Sequence, residues 1–199
     1  MGFMTAGTRG RPRSFDRDAA LDKAIRLFWR RGYEATSVRE LTDELGIGAP
    51  SLYSAFGDKQ QLFGEALRVY DVQYGGFIDL AIAEEPTAEL AVARILAEAP
   101  ARYTRRGLPT GCLIVSGDAG TSSPEVAEHL RRIRDSKIVA LTDKIRTDTA
   151  AGRLPDDTDA RALARYVMSV LTGIAQAARD GASRAELRRV AQIALRSWP

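Results

Sequence analysis

The stretch LGIGAPSLYSAFGDK, residues 45–59, contains a two-turn run, Ala49 to Phe56, that is too short and too rich in small residues for an ordinary core helix. Its apolar residues Ile47, Leu52 and Phe56 recur at near-helical spacing, which a loop would not show. Glycines stand at both ends of the run. The pattern predicts a short helix that buries one face and leaves the other thin and approachable.

The segments on both sides of this run also read as helices. TSVRELTDELG, residues 36–46, has Ser37 and Glu40 at capping-box spacing and ends in a glycine. Residues 16–31 begin with a capping aspartate and carry an apolar stripe, which predicts a helix. We expect a longer helix over 58–83. Short helices joined by a glycine-containing turn are typical of a helix-turn-helix.

The remainder of the chain predicts an all-α protein. Ala, Leu, Arg and Glu dominate the 199 residues, 45% of the residues are hydrophobic, and alternating β-branched runs are absent. Turn residues separate the further helices. We expect long helices at about 87–106, 123–151, 157–180 and 184–197 and one short buried helix within 108–123, about nine helices in total.

Composition excludes several classes of site. The only cysteine is Cys112 and the only histidine is His129, so we expect no disulfide, no metal and no cofactor. The sequence has no signal-peptide core and no apolar run long enough to span a bilayer. We therefore expect a cytoplasmic protein with no membrane association.

A helix-turn-helix places its second helix in the major groove, where small outward residues let the backbone approach the base edges. Hydroxyl groups and a lysine near the ends of neighbouring helices can reach phosphates. The predicted DNA contacts are Thr36, Ser37, Gly48, Ala49, Pro50, Ser51, Tyr53, Ser54 and Lys59. The alternative is a tight helical corner without DNA function.

The run ALDKAIRLFWRRGYEATSVRELTDELGIGAPSLYSAFGDKQQLFGEAL, residues 20–67, resembles the DNA-binding domain of the TetR family of transcriptional regulators. The matching features, in chain order, are LF at 27–28, GY at 32–33, TS at 36–37, a short helix ending in LG at 45–46, LY at 52–53, Phe56, Lys59 and LF at 62–63. The resemblance implies that Thr36, Ser37, Tyr53 and Lys59 touch phosphates. One departure is Gly48, where the family often has a Ser or Thr cap. Because the short helix carries no Arg, Asn or Gln, bidentate base readout from it is excluded.

The resemblance also implies the division of the chain. We expect a flexible basic arm over 1–14, a DNA-binding domain over 15–60, and a helical domain over 61–199 that dimerises and binds a small molecule.

The arm contains TRGRPRSFD, residues 8–16, whose Arg-Gly-Arg-Pro resembles an AT-hook core. Arg9, Arg11 and Arg13 account for the net charge of +3, since the other 26 basic residues balance the 26 acidic ones. We expect these arginines to contact the minor groove or phosphates. The alternative is a solvated tail.

Two apolar stripes near the C-terminus predict either a four-helix bundle between two subunits or packing within one subunit. The resemblance favours the homodimer. The interface residues predicted from these stripes are Leu163, Val167, Val170, Leu171, Ile174, Leu187, Val190 and Ala194.

The helices between the two regions would hold an unknown small-molecule effector. Residues that could line its cavity are Tyr74, Phe77, Tyr103, Cys112 and Met168, although for any one of them taken singly ordinary core packing is the favoured interpretation. Cys112 has no nearby base in the sequence to activate it, so burial is the better interpretation.

These features together predict a ligand-responsive transcriptional regulator, acting as a homodimeric repressor on a palindromic double-stranded operator. The chain shows no nucleotide-binding loop and no catalytic constellation, so it is not predicted to be an enzyme. A near-neutral body argues against a non-specific DNA-coating protein. The remaining alternative is a dimeric small-molecule-binding protein with weak or lost DNA binding.

Overall fold

A computed structural model describes residues 16–199, and within that range the chain forms α-helices, one π-helical turn and no strand. The all-α prediction is confirmed. The α-helices are α1 (Arg17–Arg31), α2 (Val38–Leu45), α3 (Ala49–Phe56), α4 (Lys59–Tyr70), α5 (Phe77–Glu84), α6 (Ala88–Tyr103), α7 (Leu113–Ser116), α8 (Pro124–Ala150), α9 (Ala160–Arg179) and α10 (Arg184–Leu195).

The ends of the N-terminal helices follow from local chemistry. The Ser37 side chain accepts from the Glu40 backbone N–H while the Glu40 carboxylate accepts from Ser37, which forms the predicted capping box of α2. Gly46 ends α2 in the left-handed conformation with φ 72°. Asp58 caps α4, and Gln61 completes a second capping box there.

The helix expected over 58–83 is interrupted, which brings the described α-helices to ten rather than nine. A π-helical turn, Asp71–Gly75, separates α4 from α5. This geometry requires a glycine at position 76, because a Cβ there would lie 2.7 Å from the carbonyl oxygen of Val72. Lys137 is 6% exposed, and its ammonium forms ion pairs with Asp71, the first residue of the turn, and with Asp79 of α5.

One hydrophobic core runs from α1 to α10. In the N-terminal part, Leu41, Leu52 and Phe56 are buried, and the ring of Phe28 packs edge-on against Phe63 of α4. In the C-terminal part α9 packs against α6 and α8, and α10 packs against α6 and α9. Because α4 packs on α1 and also leads into the C-terminal helices, the predicted boundary between residues 60 and 61 stays a prediction.

Candidate nucleic-acid interface

Helix α3 has a buried face and a bare face. Leu52 is fully buried and Phe56 is 5% exposed, whereas Tyr53 is 50% exposed. The hydroxyls of Tyr53, Ser51 and Ser54 make no hydrogen bond to any residue in the described range. These three groups are therefore free to bond with phosphates or base edges.

The start of α3 is open as well. Gly48 is exposed at the N-cap, Ala49 is half-buried and Pro50 is exposed. A Cβ at Gly48 would meet only the Pro50 side chain, at an ordinary distance of 3.6 Å. Packing within the chain therefore does not demand glycine at this position, and its small size leaves room in front of the helix.

Arg17 fixes the position of α3, although nothing in the sequence pattern marked it. Its guanidinium makes two 2.7 Å hydrogen bonds to the carboxylate of Glu65 and donates to the carbonyl oxygen of Ala55. It also lies 4.7 Å from the centre of the Phe56 ring. The beginning of α1 is thus tied to the end of α3 and to α4.

Thr36 does not belong to the interface, which corrects the prediction. It is fully buried, and its hydroxyl donates to the carbonyl oxygen of Gly32 at 2.7 Å. Its backbone N–H is also used, by the carbonyl oxygen of Tyr33. The side chain closes the turn after α1 and cannot reach a phosphate.

Ser37 and Lys59 lie at helix starts beside this turn. Ser37 is exposed, but its hydroxyl is engaged in the α2 capping box. The ammonium of Lys59 lies 4.1 Å from the centre of the Tyr33 ring, and burial lowers its pKa. Arg39 is a further candidate on α2, since its side chain is 91% exposed and its one ion pair, to Asp43, spans 4.0 Å. The predicted arm contacts Arg9, Arg11 and Arg13 lie outside the described residues.

The five residues predicted for the effector site lie around one cavity of about 290 Å³. These are Tyr74, Phe77, Tyr103, Cys112 and Met168. Charged side chains also contribute to its wall, namely Asp71, Arg131, Arg134, Asp135, Lys137 and Arg165. The cavity is therefore apolar over most of its lining, and charged side chains from the turn after α4, from α8 and from α9 complete the wall.

Burial controls the titration of the groups inside this cavity. Burial raises the pKa of the Cys112 thiol, and the hydroxyl of Tyr70 offsets part of that rise. The pKa values of Tyr70 and Tyr103 are also raised well above the ordinary tyrosine value, because both rings are buried. The thiol and both phenols are neutral near pH 7.

Helix α7 links the cavity to the N-terminal helices. Its residues Ile114 and Val115 line the cavity, and the next residue, Ser116, accepts a 2.9 Å hydrogen bond from Arg179 of α9. The same Arg179 guanidinium donates to the carbonyl oxygen of Trp29 in α1. The carbonyl oxygen of Gly117 accepts from the backbone N–H of Tyr33 at 2.9 Å.

The apolar stripes predicted as the subunit interface lie mostly inside the chain's own core, which corrects that prediction. The buried members are Val167, Leu171, Ile174, Leu187 and Ala194. Leu163 and Val170 are half-buried against the same core. The reason is that α9 and α10 direct these stripes against α6 and α8. Among the eight predicted residues only Val190 is exposed.

The apolar surface left on these two helices is different from the predicted one. Ile193 is 64% exposed, Val190 is 46% exposed and Tyr166 is 41% exposed. These three residues define what we call the C-terminal apolar face.

Metal-binding clusters and membrane-spanning helices are absent from residues 16–199. No group of His, Cys, Asp or Glu in that range could hold a metal ion. No helix in the same range is long and apolar enough to cross a membrane.

Two family models match the chain. The model for bacterial regulatory proteins of the tetR family matches residues 20–66. The model for the tetracyclin repressor-like C-terminal domain matches residues 91–194.

Known proteins resemble the chain over nearly its whole length. It is 35% identical to the HTH-type transcriptional repressor ComR of Escherichia coli (strain K12), over 96% of this chain and 93% of that protein. It is 33% identical to the HTH-type transcriptional repressor BdcR of the same strain, over 93% and 90%. A solved structure of the regulator CifR, a cysteine mutant complexed with 26-bp double-strand operator DNA, superimposes with a TM-score of 0.87. It is 42% identical and covers 95% of this chain and 100% of that chain.

Proposed function

The chain belongs to the TetR family of transcriptional regulators, and from this we propose that it is a repressor that binds a palindromic operator as a homodimer and responds to a small molecule. The family and the relatives are regulators of transcription and not enzymes, in agreement with the prediction from sequence. Repression is proposed because both ComR and BdcR are named repressors.

The bare face of α3 is the observation that carries the DNA-binding proposal. Its exposed hydroxyls at Ser51, Tyr53 and Ser54 have no partner in the described range, and the start of the helix at Gly48 is open. Such a helix fits the major groove with its backbone close to the bases. Without Arg, Asn or Gln on α3, much of the sequence preference would come from close packing and DNA shape.

The C-terminal apolar face supports the homodimer. Exposed apolar residues gathered on two adjacent helices are typical of an interface rather than of a solvated surface. A two-fold axis through this face would present α3 twice, to half-sites about 34–36 Å apart or slightly adjusted from that spacing.

The contacts of α7 suggest how a ligand could act. An occupant of the 290 Å³ cavity would touch α7, and α7 is hydrogen-bonded through Ser116 and Gly117 to α9 and to the N-terminal helices. A ligand that prefers one arrangement of α7 by about 2–3 kcal/mol would change operator affinity tens-fold to about a hundred-fold.

Selection of bound sequences from a random DNA pool tests the regulator proposal directly. We expect enrichment of a palindrome whose two halves lie about one helical turn apart. A pool without enrichment would contradict sequence-specific binding. A non-palindromic motif would contradict the symmetric dimer while leaving DNA binding in place.

The arm proposal has its own test. Deleting residues 1–13 should weaken operator binding, and the slope of log K against log salt should fall by about 0.9 for each phosphate that the arm neutralises. A fluorescence anisotropy titration over a range of salt concentrations measures this slope. An unchanged slope in the truncated protein would refute a role for Arg9, Arg11 and Arg13.

A further inference from the structure

A second cavity shares three tyrosines with the first. Its volume is about 210 Å³, and Tyr70, Tyr74 and Tyr103 contribute to both cavities. The second cavity also has Trp29 of α1 in its wall, with Arg105 among its polar residues. It therefore lies between the N-terminal helices and α6 and adjoins the proposed effector site, with which it shares these three tyrosines.

Hydrogen-bond donors in this wall lack acceptors. The indole N–H of Trp29 is buried and has no acceptor within residues 16–199. The hydroxyl of Tyr103 makes no hydrogen bond in the same range, but its oxygen is not one of the buried unpaired atoms. A buried donor without a partner is uncommon in folded proteins, so the Trp29 N–H calls for an explanation such as a bound ligand.

The charges around the cavity favour an anion. No Asp or Glu is among its lining residues. The side chain of Arg105 makes no ion pair or hydrogen bond within the described part of the chain. Arg102, in contrast, is held 2.7 Å from Glu98 and lies over the ring of Phe77. Arg105 is thus the cation in this wall that is available to a ligand.

We propose that this second cavity binds a compact aromatic carboxylate. The ring would pack among Trp29 and the three tyrosines, and the carboxylate would pair with Arg105. The cavity is smaller than the about 300–1,000 Å³ typical of sites for drug-sized ligands, which limits the occupant to about one ring. The site needs neither the operator nor an occupant of the first cavity, so it extends the proposed function and stands apart from it.

Benzoate and benzamide are the probes that test the charge requirement. In a full-length Trp198→Phe protein, Trp29 is the only tryptophan, so its fluorescence reports on this wall. We expect a saturable change with benzoate and at least about tenfold weaker binding of neutral benzamide, the decrease expected when one charge-assisted hydrogen bond is removed. Absence of a response to benzoate, or equal affinity for benzamide, would overturn the proposal.

Two arginine variants separate the two cavities. Arg105→Gln should weaken benzoate binding at least about tenfold, whereas Arg165→Gln, in the wall of the first cavity, should leave it within about twofold. Both side chains are exposed, and circular dichroism checks that each variant keeps its helices. Abolished binding in Arg165→Gln alone would assign benzoate to the first cavity. Unchanged binding in Arg105→Gln would equally contradict the second site.

Discussion

At the scale of single residues, hydroxyl groups near the N-terminal helices divide into structural and available ones. Thr36 is buried and bonds to Gly32, and Ser37 is engaged in capping α2. Tyr53 is half exposed and has no partner in the described range. The available hydroxyls are the ones that can form bonds to DNA without a cost in folding.

Tyr53→Phe is therefore expected to weaken operator binding about two- to twelvefold, the effect of removing one hydrogen bond of about 0.5–1.5 kcal/mol. Its free energy of unfolding should stay within about 0.5 kcal/mol of the parent protein. Anisotropy and urea denaturation measure the two quantities. Ser136→Ala, which removes an exposed hydroxyl on α8, is the control. Equal weakening in both variants would contradict a contact at Tyr53.

The buried thiol leads to a prediction about chemical reactivity. Because burial raises the pKa of Cys112, little thiolate is present in the folded protein near neutral pH. Alkylation by iodoacetamide at pH 8 should be at least about tenfold slower in the folded chain than in urea. The folded-state rate should still be rising as the pH passes the ordinary thiol range. Equal rates in both states would show that the thiol is exposed and reactive.

The difference between structural and available hydroxyl groups also shows which site residues can be predicted from the sequence. The spacing around Ala49–Phe56 was sufficient to predict the bare face of α3, because helical periodicity fixes which residues share a face. Periodicity alone could not tell Thr36 from Ser37, since that difference depends on where the turn after α1 places each side chain. The role of Arg17 depends on partners in α3 and α4, far away in the sequence.

At the scale of elements, the π-helical turn between α4 and α5 is the feature that the sequence did not predict. The apolar pattern over 58–83 continues through the turn, so it predicts one helix. The close approach of position 76 to the Val72 carbonyl depends on the backbone conformation of the folded chain, which the apolar pattern does not specify. The pairing of Lys137 with Asp71 and Asp79 joins α8 to the turn and to α5, and it likewise depends on tertiary packing.

Replacing Gly76 by alanine tests this explanation. The new Cβ would press on the Val72 carbonyl, so we expect the free energy of unfolding to fall by about 1–3 kcal/mol. Gly64→Ala in α4 is the matched control, because its Cβ would meet His129 at an ordinary 3.7 Å. That control should gain about 0.5–1 kcal/mol from helix propensity. A stabilised Gly76→Ala protein would contradict the steric argument.

At the scale of the whole molecule, the order of helices can be predicted from the sequence, whereas the residues left on the outer surface cannot. The stripe of Val167, Leu171 and Ile174 has the right period for a helix face but carries no information about which neighbour covers it. The chain's own α6 and α8 cover it. Exposure of Ile193 emerges only when those neighbours are in place.

Ile193→Glu tests the C-terminal apolar face. The side chain is 64% exposed in the single chain, so helix content should be retained while the proposed dimer dissociates, because a buried unpaired charge at an interface is costly. Sedimentation or light scattering measures the molecular mass in solution, which should fall to that of one chain. The affinity for the operator should fall as well. Leu90→Glu, on α6 and 47% exposed, should leave the mass unchanged. If the Ile193→Glu protein is still a dimer, the interface does not lie at the C-terminal apolar face.

Arg179 lies on α9, the helix that also carries Tyr166 of the C-terminal apolar face. The guanidinium of Arg179 donates a hydrogen bond to the carbonyl oxygen of Trp29 in α1. In the proposed homodimer, a small tilt of one subunit against the other would be passed along α9 to the end of the molecule that carries α3, with both cavities empty. A substitution that keeps the subunits paired but alters their angle would thus have the effect proposed for the small molecule. We accordingly expect constitutive variants to map to the proposed subunit interface as well as to the cavity walls.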